Sequence, residues 1–348
     1  MNNSADLTDI LSLSPGELAR EIAVLSERKF RAKQIFDWLH AKKIRDFGEI
    51  SNISKQLRGE LREKFCIKSL NIQKRLVSTA DNTVKYLYAL DGGDGVETVF
   101  MSRDRGNGLC VSTQVGCRMG CVFCASGQSG FKRDLVPSEM LLQLYETVRD
   151  GKTVDSLVLM GMGEPLDNFG NVIRFLEILK TGHGMGLRRV SLSTCGLVDK
   201  IDELARLKPG LTLSVSLHAA NDADRSALMP INRRFGLDAL LNSCAGYFKA
   251  TGRRISYEYA LIDGVNDGGE NAAELARLLK RLPPGSCHVN LIPVNETAGP
   301  YKAPRPEKIR LFAGRLAKEN INATVRRTLG ADINAACGQL RRIWDFKK

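Results

Sequence analysis

Cys117, Cys121 and Cys124 stand in the run Cys-Arg-Met-Gly-Cys-Val-Phe-Cys, a C-x3-C-x2-C spacing. Three thiolates packed this tightly are soft ligands for an iron–sulfur cluster or for a zinc ion. A closed structural site wants a fourth ligand nearby in sequence, and none stands there. Three ligands with an open fourth position favour a cluster that does chemistry at its free iron. A three-cysteine zinc site with a distant fourth ligand is the other reading. The apolar stretch Leu109-Cys110-Val111 just upstream reads as a strand, which puts the thiolates on a loop leaving a strand end.

Four more polar segments follow apolar runs: Gly161-Met162-Gly163-Glu164-Pro165, Ser193-Thr194-Cys195-Gly196, Ser216-Leu217-His218 and Pro293-Val294-Asn295. Singly each is bland. Gly161 and Gly163 can simply make a turn, Ser193 can cap a helix, and a lone His is more often a hydrogen-bonded core residue. Together, at the ends of successive strands, they would line a site for a polar small molecule beside the cysteines.

The elements that must carry these segments are legible from periodicity. Strands are expected at 109–113, 156–160, 189–193, 211–216, 254–260, 288–292 and 323–326. Amphipathic helices fall between them, at 137–150, 170–180, 199–207, 237–250, 269–280 and 305–319. Repeated βα units predict an α/β fold with a parallel sheet curled into a full or partial barrel, its chemistry on loops at the strand C-terminal ends. Ahead of it, residues 72 to about 102 alternate like strands, at 84–89 and 96–100, separated by Ala80-Asp81-Asn82 and Asp91-Gly92-Gly93-Asp94-Gly95. Residues 14 to about 66 read as helical. Ser14 caps a helix opening at Pro15, and Phe30, Ile35, Trp38 and Leu39 are expected near one face. Basic residues crowd this region (Arg28, Lys29, Arg31, Lys33, Lys42, Lys43, Arg45, Arg58 and Arg62), either as a solvated surface or as an RNA-contacting domain. The expected division is 1–70 helical, 71–105 a β extension, 106–328 the barrel and 329–348 a C-terminal segment.

The chain has 348 residues, with 51 Lys+Arg against 39 Asp+Glu, a net +12. That surplus favours polyanionic partners. Only 6% of residues are aromatic, which argues against an extended base-stacking platform. No apolar run approaches a membrane span, and the first residues lack a signal-peptide pattern, so a cytoplasmic protein with no membrane partner is expected. Nine cysteines in a reducing compartment argue for metal binding and catalysis rather than a disulfide scaffold.

The cysteine run after one strand and Gly-Met-Gly-Glu-Pro after the next resemble the radical S-adenosylmethionine (SAM) enzymes. Val96-Glu97-Thr98-Val99, Cys110 to Cys117, Gly130-Phe131-Lys132-Arg133-Asp134-Leu135, Ser216-Leu217-His218-Ala219, Tyr257-Glu258-Tyr259, Val265-Asn266-Asp267, Asn290-Leu291-Ile292-Pro293 and Ala335-Ala336-Cys337-Gly338-Gln339-Leu340 resemble the RlmN-type RNA adenine-C2 methyltransferases, over about residues 14 to 342.

The resemblance implies a partial (β/α)6 TIM-like barrel of the radical SAM type. It implies a [4Fe-4S] cluster on Cys117, Cys121 and Cys124, and SAM, two per turnover. SAM would be held by Gly163, Glu164, Ser193, Ser216, Leu217, His218 and Asn295, with the Glu164 carboxylate beside the methionine ammonium. Cys337 matches a methyl carrier, Cys110 a resolving cysteine that closes a transient disulfide with it, and Glu97 a general base. Carbon 2 of adenine is too electron-poor for direct displacement on SAM. A 5′-deoxyadenosyl radical and a carrier thiol solve this in the family. The substrates implied are an adenosine of 23S ribosomal RNA in the peptidyl-transferase region and a tRNA adenosine beside the anticodon. The target base would be flipped out of its fold. An electron donor such as flavodoxin or ferredoxin and a monomeric state complete the expectation.

Cys66, Cys195, Cys244 and Cys287 are left as structural. Cys195 stands where the family more often has Ser, and Asp134 where it often has Asn. Two other readings stay open at this point. One is the sister branch that methylates carbon 8, from which Gly163-Glu164-Pro165 differs. The other is a non-enzymatic RNA-binding protein with a structural metal.

Overall fold

The computed structural model describes residues 7–25, 30–104, 106–295, 297 and 299–340. Arg28 and Lys29 of the basic set, and the end of the C-terminal segment from 341, lie outside the described residues. The chain forms two compact units: Met1–Asn71 with Leu135–Lys152 and Gly170–Leu187, and Ile72–Asp134 with Thr153–Phe169 and Arg188–Lys348.

The first unit is helical. A helix at Pro15–Val24 opens on a capping box, Ser14 Oγ accepting from the Glu17 amide and the Glu17 carboxylate accepting from the Ser14 amide. In the next helix, Phe30–His40, the buried face is Ala32, Ile35, Phe36, Leu39 and His40. Of the residues expected near one face, Ile35 and Leu39 are buried, Trp38 is half-buried with its Nε1 donating to Asn52 Oδ1 at 2.8 Å, and Phe30 is 49% exposed. His40 is fully buried, with Nδ1 3.0 Å from the Tyr145 hydroxyl; burial drives its pKa down to about 3, so it is a neutral core residue. Part of the basic surface is already paired: Arg45 bonds Glu146 and Arg62 bonds Asp46.

The second unit is built on one ten-stranded sheet: β1 (Asn71–Val77), β2 (Val84–Ala89), β3 (Gly95–Met101), β4 (Gly108–Cys110), β5 (Ser156–Leu159), β6 (Val190–Thr194), β7 (Thr212–Ser216), β8 (Ile255–Leu261), β9 (Cys287–Pro293) and β10 (Ala323–Val325). Their order in the sheet is their order in the chain, with β1 and β10 at the edges. Strands β4 to β10 are parallel, and β2, β3 and β4 pair antiparallel. Six strand–helix units therefore lead to a seventh parallel strand, and the sheet stays open, a partial barrel. The strands agree with the sequence periodicity to within a residue or two except β4, which stops at Cys110. Beyond it Val111 keeps one bond to β5, its amide donating to Val158 O at 2.9 Å, and the chain then turns to the 161–164 loop: Gly161 N to Val111 O at 3.2 Å, and Thr113 N to Met162 O at 2.9 Å.

The register matters for the site. Ser193, Ser214 and Ser256 are neighbours across β6, β7 and β8. Ser216, Glu258, Asn290 and Thr324 form the next such row, across β7 to β10. Residues two apart on a strand share a face, so both rows face one side of the sheet.

Candidate active site

The cysteine loop hangs from a short hairpin, Gln114–Gly116 paired antiparallel with Phe131–Asp134. Cys117 donates its amide to Gly130 O at 3.1 Å, and Cys124 to Cys121 O at 3.1 Å, which folds the run back on itself. Gly116 makes this possible. It has φ +79°, and a Cβ there would lie 1.7 Å from Gly130 O. Gly116→Ala is expected to destabilise the chain by at least about 2 kcal/mol and to lower iron uptake on reconstitution. A variant with the parent's melting temperature and iron content would contradict this account of the hairpin.

All three cysteines line one cavity, together with Gly163, Glu164, Ser193, Ser216, His218, Asn295 and Cys337. Burial pushes the Cys117 thiol up to about 12 and raises Cys121 too, and the charge of Cys124 adds to both. Such a set stays ionised only against a strong cationic centre, which iron supplies. Among the described residues no group of three His, Cys, Asp or Glu side chains is gathered tightly enough to hold a single metal ion. Three soft thiol donors from one short loop, all lining one cavity, are the ligands an iron–sulfur cluster takes. The donor set fits a cluster.

Glu164 is buried, and burial raises its pKa. Its Oε2 accepts from Cys195 N at 2.7 Å and its Oε1 from Leu166 N at 3.0 Å, and the Thr194 and Cys195 side chains bond it too, so the carboxylate ties the loops after β5 and β6 together. Gly163, at φ +100°, brings the backbone within reach of Gln114, where a Cβ would stand 2.6 Å from Gln114 Cβ. His218 also has positive φ, +60°. Its Nδ1 accepts from Ala260 N at 2.9 Å, and burial lowers its pKa to about 3, leaving a neutral ring with its proton on Nε2. Leu217 differs from the others: its side chain lies in the core, away from the cavity, and its carbonyl accepts from Arg225 at 3.1 Å.

The C-terminal segment closes on the cysteine loop. Ala125 N donates to Gly338 O at 2.8 Å, Ser126 Oγ to Leu340 O at 2.5 Å, and Asn295 Nδ2 to Cys337 O at 3.0 Å. Cys110 packs in the same apolar cluster as Ala335 and Leu340. All nine cysteines are free thiols, so Cys110 and Cys337 are not bonded in this state. Burial and the charge of Cys337 push Cys110 up to about 12, and Arg326 opposes them. Cys337 keeps exposed surface, yet desolvation of its thiol raises its pKa too, again against Arg326. Glu97, buried on β3, pairs with Lys85 Nζ at 3.2 Å and lines neither this cavity nor the second one described below. Lys85 in turn donates to Asn334 O at 2.9 Å, three residues before Cys337.

Three residues to which sequence reasoning gave no role are central, although Glu258 stands in one of the segments that carry the resemblance. Arg225, fully buried, donates to Cys195 O, Ser216 O, Leu217 O and Asn232 Oδ1 at 2.7–3.1 Å. Arg326, just past β10, lines the cavity and acts through its charge on Cys110, Cys337 and Glu258. Glu258 itself lines the cavity from β8.

Residues 111–278 match the family model described as the radical SAM superfamily, and residues 8–67 match the ribosomal RNA large subunit methyltransferase N-terminal domain. The chain is 45% identical to a probable dual-specificity RNA methyltransferase RlmN of Lachnoclostridium phytofermentans, over 100% of this chain and 98% of that one. It belongs to the RlmN family. An RlmN of Desulforamulus reducens is 47% identical over 99% of this chain and 98% of its own. The crystal structure of a radical SAM methyltransferase from Sphaerobacter thermophilus superposes with a TM-score of 0.90 at 41% identity, covering 96% of this chain and 99% of that one. This RlmN-family chain is thus a radical SAM methyltransferase, with a [4Fe-4S] cluster and SAM as its cofactors. No helix among the described residues is long and apolar enough to cross a membrane.

Proposed function

We propose that this RlmN-family chain methylates carbon 2 of an adenine in 23S ribosomal RNA and in tRNA. The observation that carries the reading is the placement of Cys337: the C-terminal segment is bonded to the cluster loop at Ala125 and Ser126, and Cys337 lines the same cavity as the three cluster thiols. Cys117, Cys121 and Cys124 would hold the cluster. Gly163, Glu164, Ser193, Ser216, His218 and Asn295, with Leu217 through its backbone, would hold SAM. When bound, the pair supplies a methyl group and a 5′-deoxyadenosyl radical.

The protein's own residues do the rest. Cys337 carries the one-carbon unit and becomes linked through it to the ring. Glu97, ion-paired to Lys85 and outside the cavity walls in this state, would have to move in to take the proton from carbon 2, and the surplus electron of the coupled ring would return to the cluster. The Cys110 thiolate then attacks Cys337 Sγ. The sulfur–carbon electron pair moves to the carbon, which takes up a proton and remains on the base as methyl. The two thiols leave as a disulfide, oxidised by two electrons, and an external dithiol reopens it. The disulfide requires their Cα atoms to come within roughly 4.4–6.8 Å. The net charge of +12 suits an RNA partner, with the N-terminal helical region contacting it. A flavodoxin- or ferredoxin-like donor, a monomeric state and a cytoplasmic setting complete the proposal.

The test is digestion of RNA treated with reconstituted enzyme and identification of the methyladenosine isomer. 2-Methyladenosine is the expected product; 8-methyladenosine, or none, would overturn the reading.

A further inference from the structure

The interior of this partial barrel is polar. A second cavity, about 730 Å³ against about 160 Å³ for the first, is lined from successive strands by Ser191, Ser214, Ser256, Asn290 and Thr324. Barrel interiors of this kind are ordinarily filled by Val, Ile and Leu. Hydroxyls and an amide in their place leave room for something that hydrogen-bonds. Glu258, Arg326 and Cys337 belong to the walls of both cavities.

Glu258 is 2% exposed. Its Oε1 accepts from Asn290 Nδ2 at 3.0 Å and from Ser256 Oγ at 3.1 Å, and Asn290 Nδ2 also reaches Ser256 Oγ at 2.9 Å. The side chain is therefore locked by its neighbours on β8 and β9. Among the described residues nothing donates to its buried Oε2. A buried carboxylate oxygen without a donor is costly, and the cost is relieved when a ligand brings an N–H or O–H.

We propose that Glu258 reads the target base. Its Oε2 accepts a hydrogen bond from the exocyclic 6-amino group of an adenine flipped into the second cavity, which turns carbon 2 toward Cys337. The inference rests on the function proposed above and adds the group that selects the base. The 6-amino group and carbon 2 flank the same ring nitrogen, so an acceptor for one and a thiol for the other must stand side by side. Glu258 and Cys337 share both cavities and interact through their charges. A 6-oxo purine in the same pose would set an acceptor against the carboxylate, and its N1–H could meet Oε2 only by turning carbon 2 away from Cys337, so it would be disfavoured.

The test uses full-length, cluster-reconstituted protein and RNA stem–loops carrying adenosine, inosine or purine riboside at the target position. Wild type should bind the adenosine RNA about 100-fold more tightly than the inosine RNA, with purine riboside between. Glu258→Gln can turn its amide N–H₂ to a 6-oxo group, and should shift that preference toward inosine by at least about 10-fold, with SAM affinity within twofold of wild type. Equal binding of adenosine and inosine by wild type, which needs no variant, would overturn the proposal. So would Glu258→Gln protein that keeps its base preference, whether or not it loses SAM; loss of SAM would assign the donor to a cofactor hydroxyl instead. Wild type that distinguishes the bases but methylates none of them at carbon 2 would sink the functional reading and leave the role of Glu258 standing.

Discussion

Cys337→Ala protein is expected to fold, to take up its cluster and to lose RNA methylation by about 10⁴-fold or more. The residue keeps exposed surface, and its thiol makes none of the bonds that fix its segment, which run through the carbonyls of Cys337, Gly338 and Leu340. Stability should therefore change by no more than about 0.5 kcal/mol. On the proposed mechanism chemistry has no such reserve, because carbon 2 has no useful nucleophilicity and the Cys337 thiol would be its route to a one-carbon unit. Cys110→Ala gives the informative contrast. Under the proposed roles it would leave Cys337 able to load and attack, but remove the thiol that releases product. Intact mass analysis should find RNA joined to Cys110→Ala protein and none joined to Cys337→Ala. Multiple turnover by either variant would remove that cysteine from the mechanism.

Arg225→Met is expected to cost about 3–5 kcal/mol, because the arginine is a buried charge whose hydrogen bonds end on three backbone carbonyls and one amide oxygen. Burial lowers the Arg225 pKa, the charges of Cys195, Cys121 and Asp222 oppose it, and four hydrogen bonds satisfy the guanidinium. Two of those carbonyls, Cys195 O and Ser216 O, lie at the ends of β6 and β7, between the SAM-binding candidates Ser193 and His218. The loss should thus appear twice: a melting temperature lower by roughly 10 °C, and SAM affinity reduced in the protein that remains folded. A melting temperature within a degree or two of the parent's would mean that the strand-end loops hold themselves.

Which features can be seen from sequence follows from how each residue is recognised. The parallel strands and the long helices announce themselves because apolar runs and amphipathic periods are repeated and local. The cluster loop announces itself by thiol spacing, and Gly163-Glu164 by its place after a strand. Arg225, Glu258 and Arg326 do not, because what defines them is the burial of a charge against backbone carbonyls or against residues on other strands. No periodicity records that. Leu217 shows the opposite failure: its match to a binding motif says nothing of its side chain, which points into the core while its carbonyl serves Arg225. β4 ended early because residues 112–114 exchange sheet bonds for bonds to the 161–164 loop, a choice made by a segment some 50 residues away.

The bond between Ser126 and Leu340 joins residues 214 apart in sequence, whereas the strands of the sheet each pair with the next in the chain. The sheet can therefore grow by short loop closures as the polypeptide leaves the ribosome, while the carrier segment can dock only after nearly the whole chain exists. The catalytic assembly is consequently a late folding event. A chain truncated before Gly330 would retain a formed barrel and the three cluster thiols, yet leave the cavity beside them without its C-terminal wall.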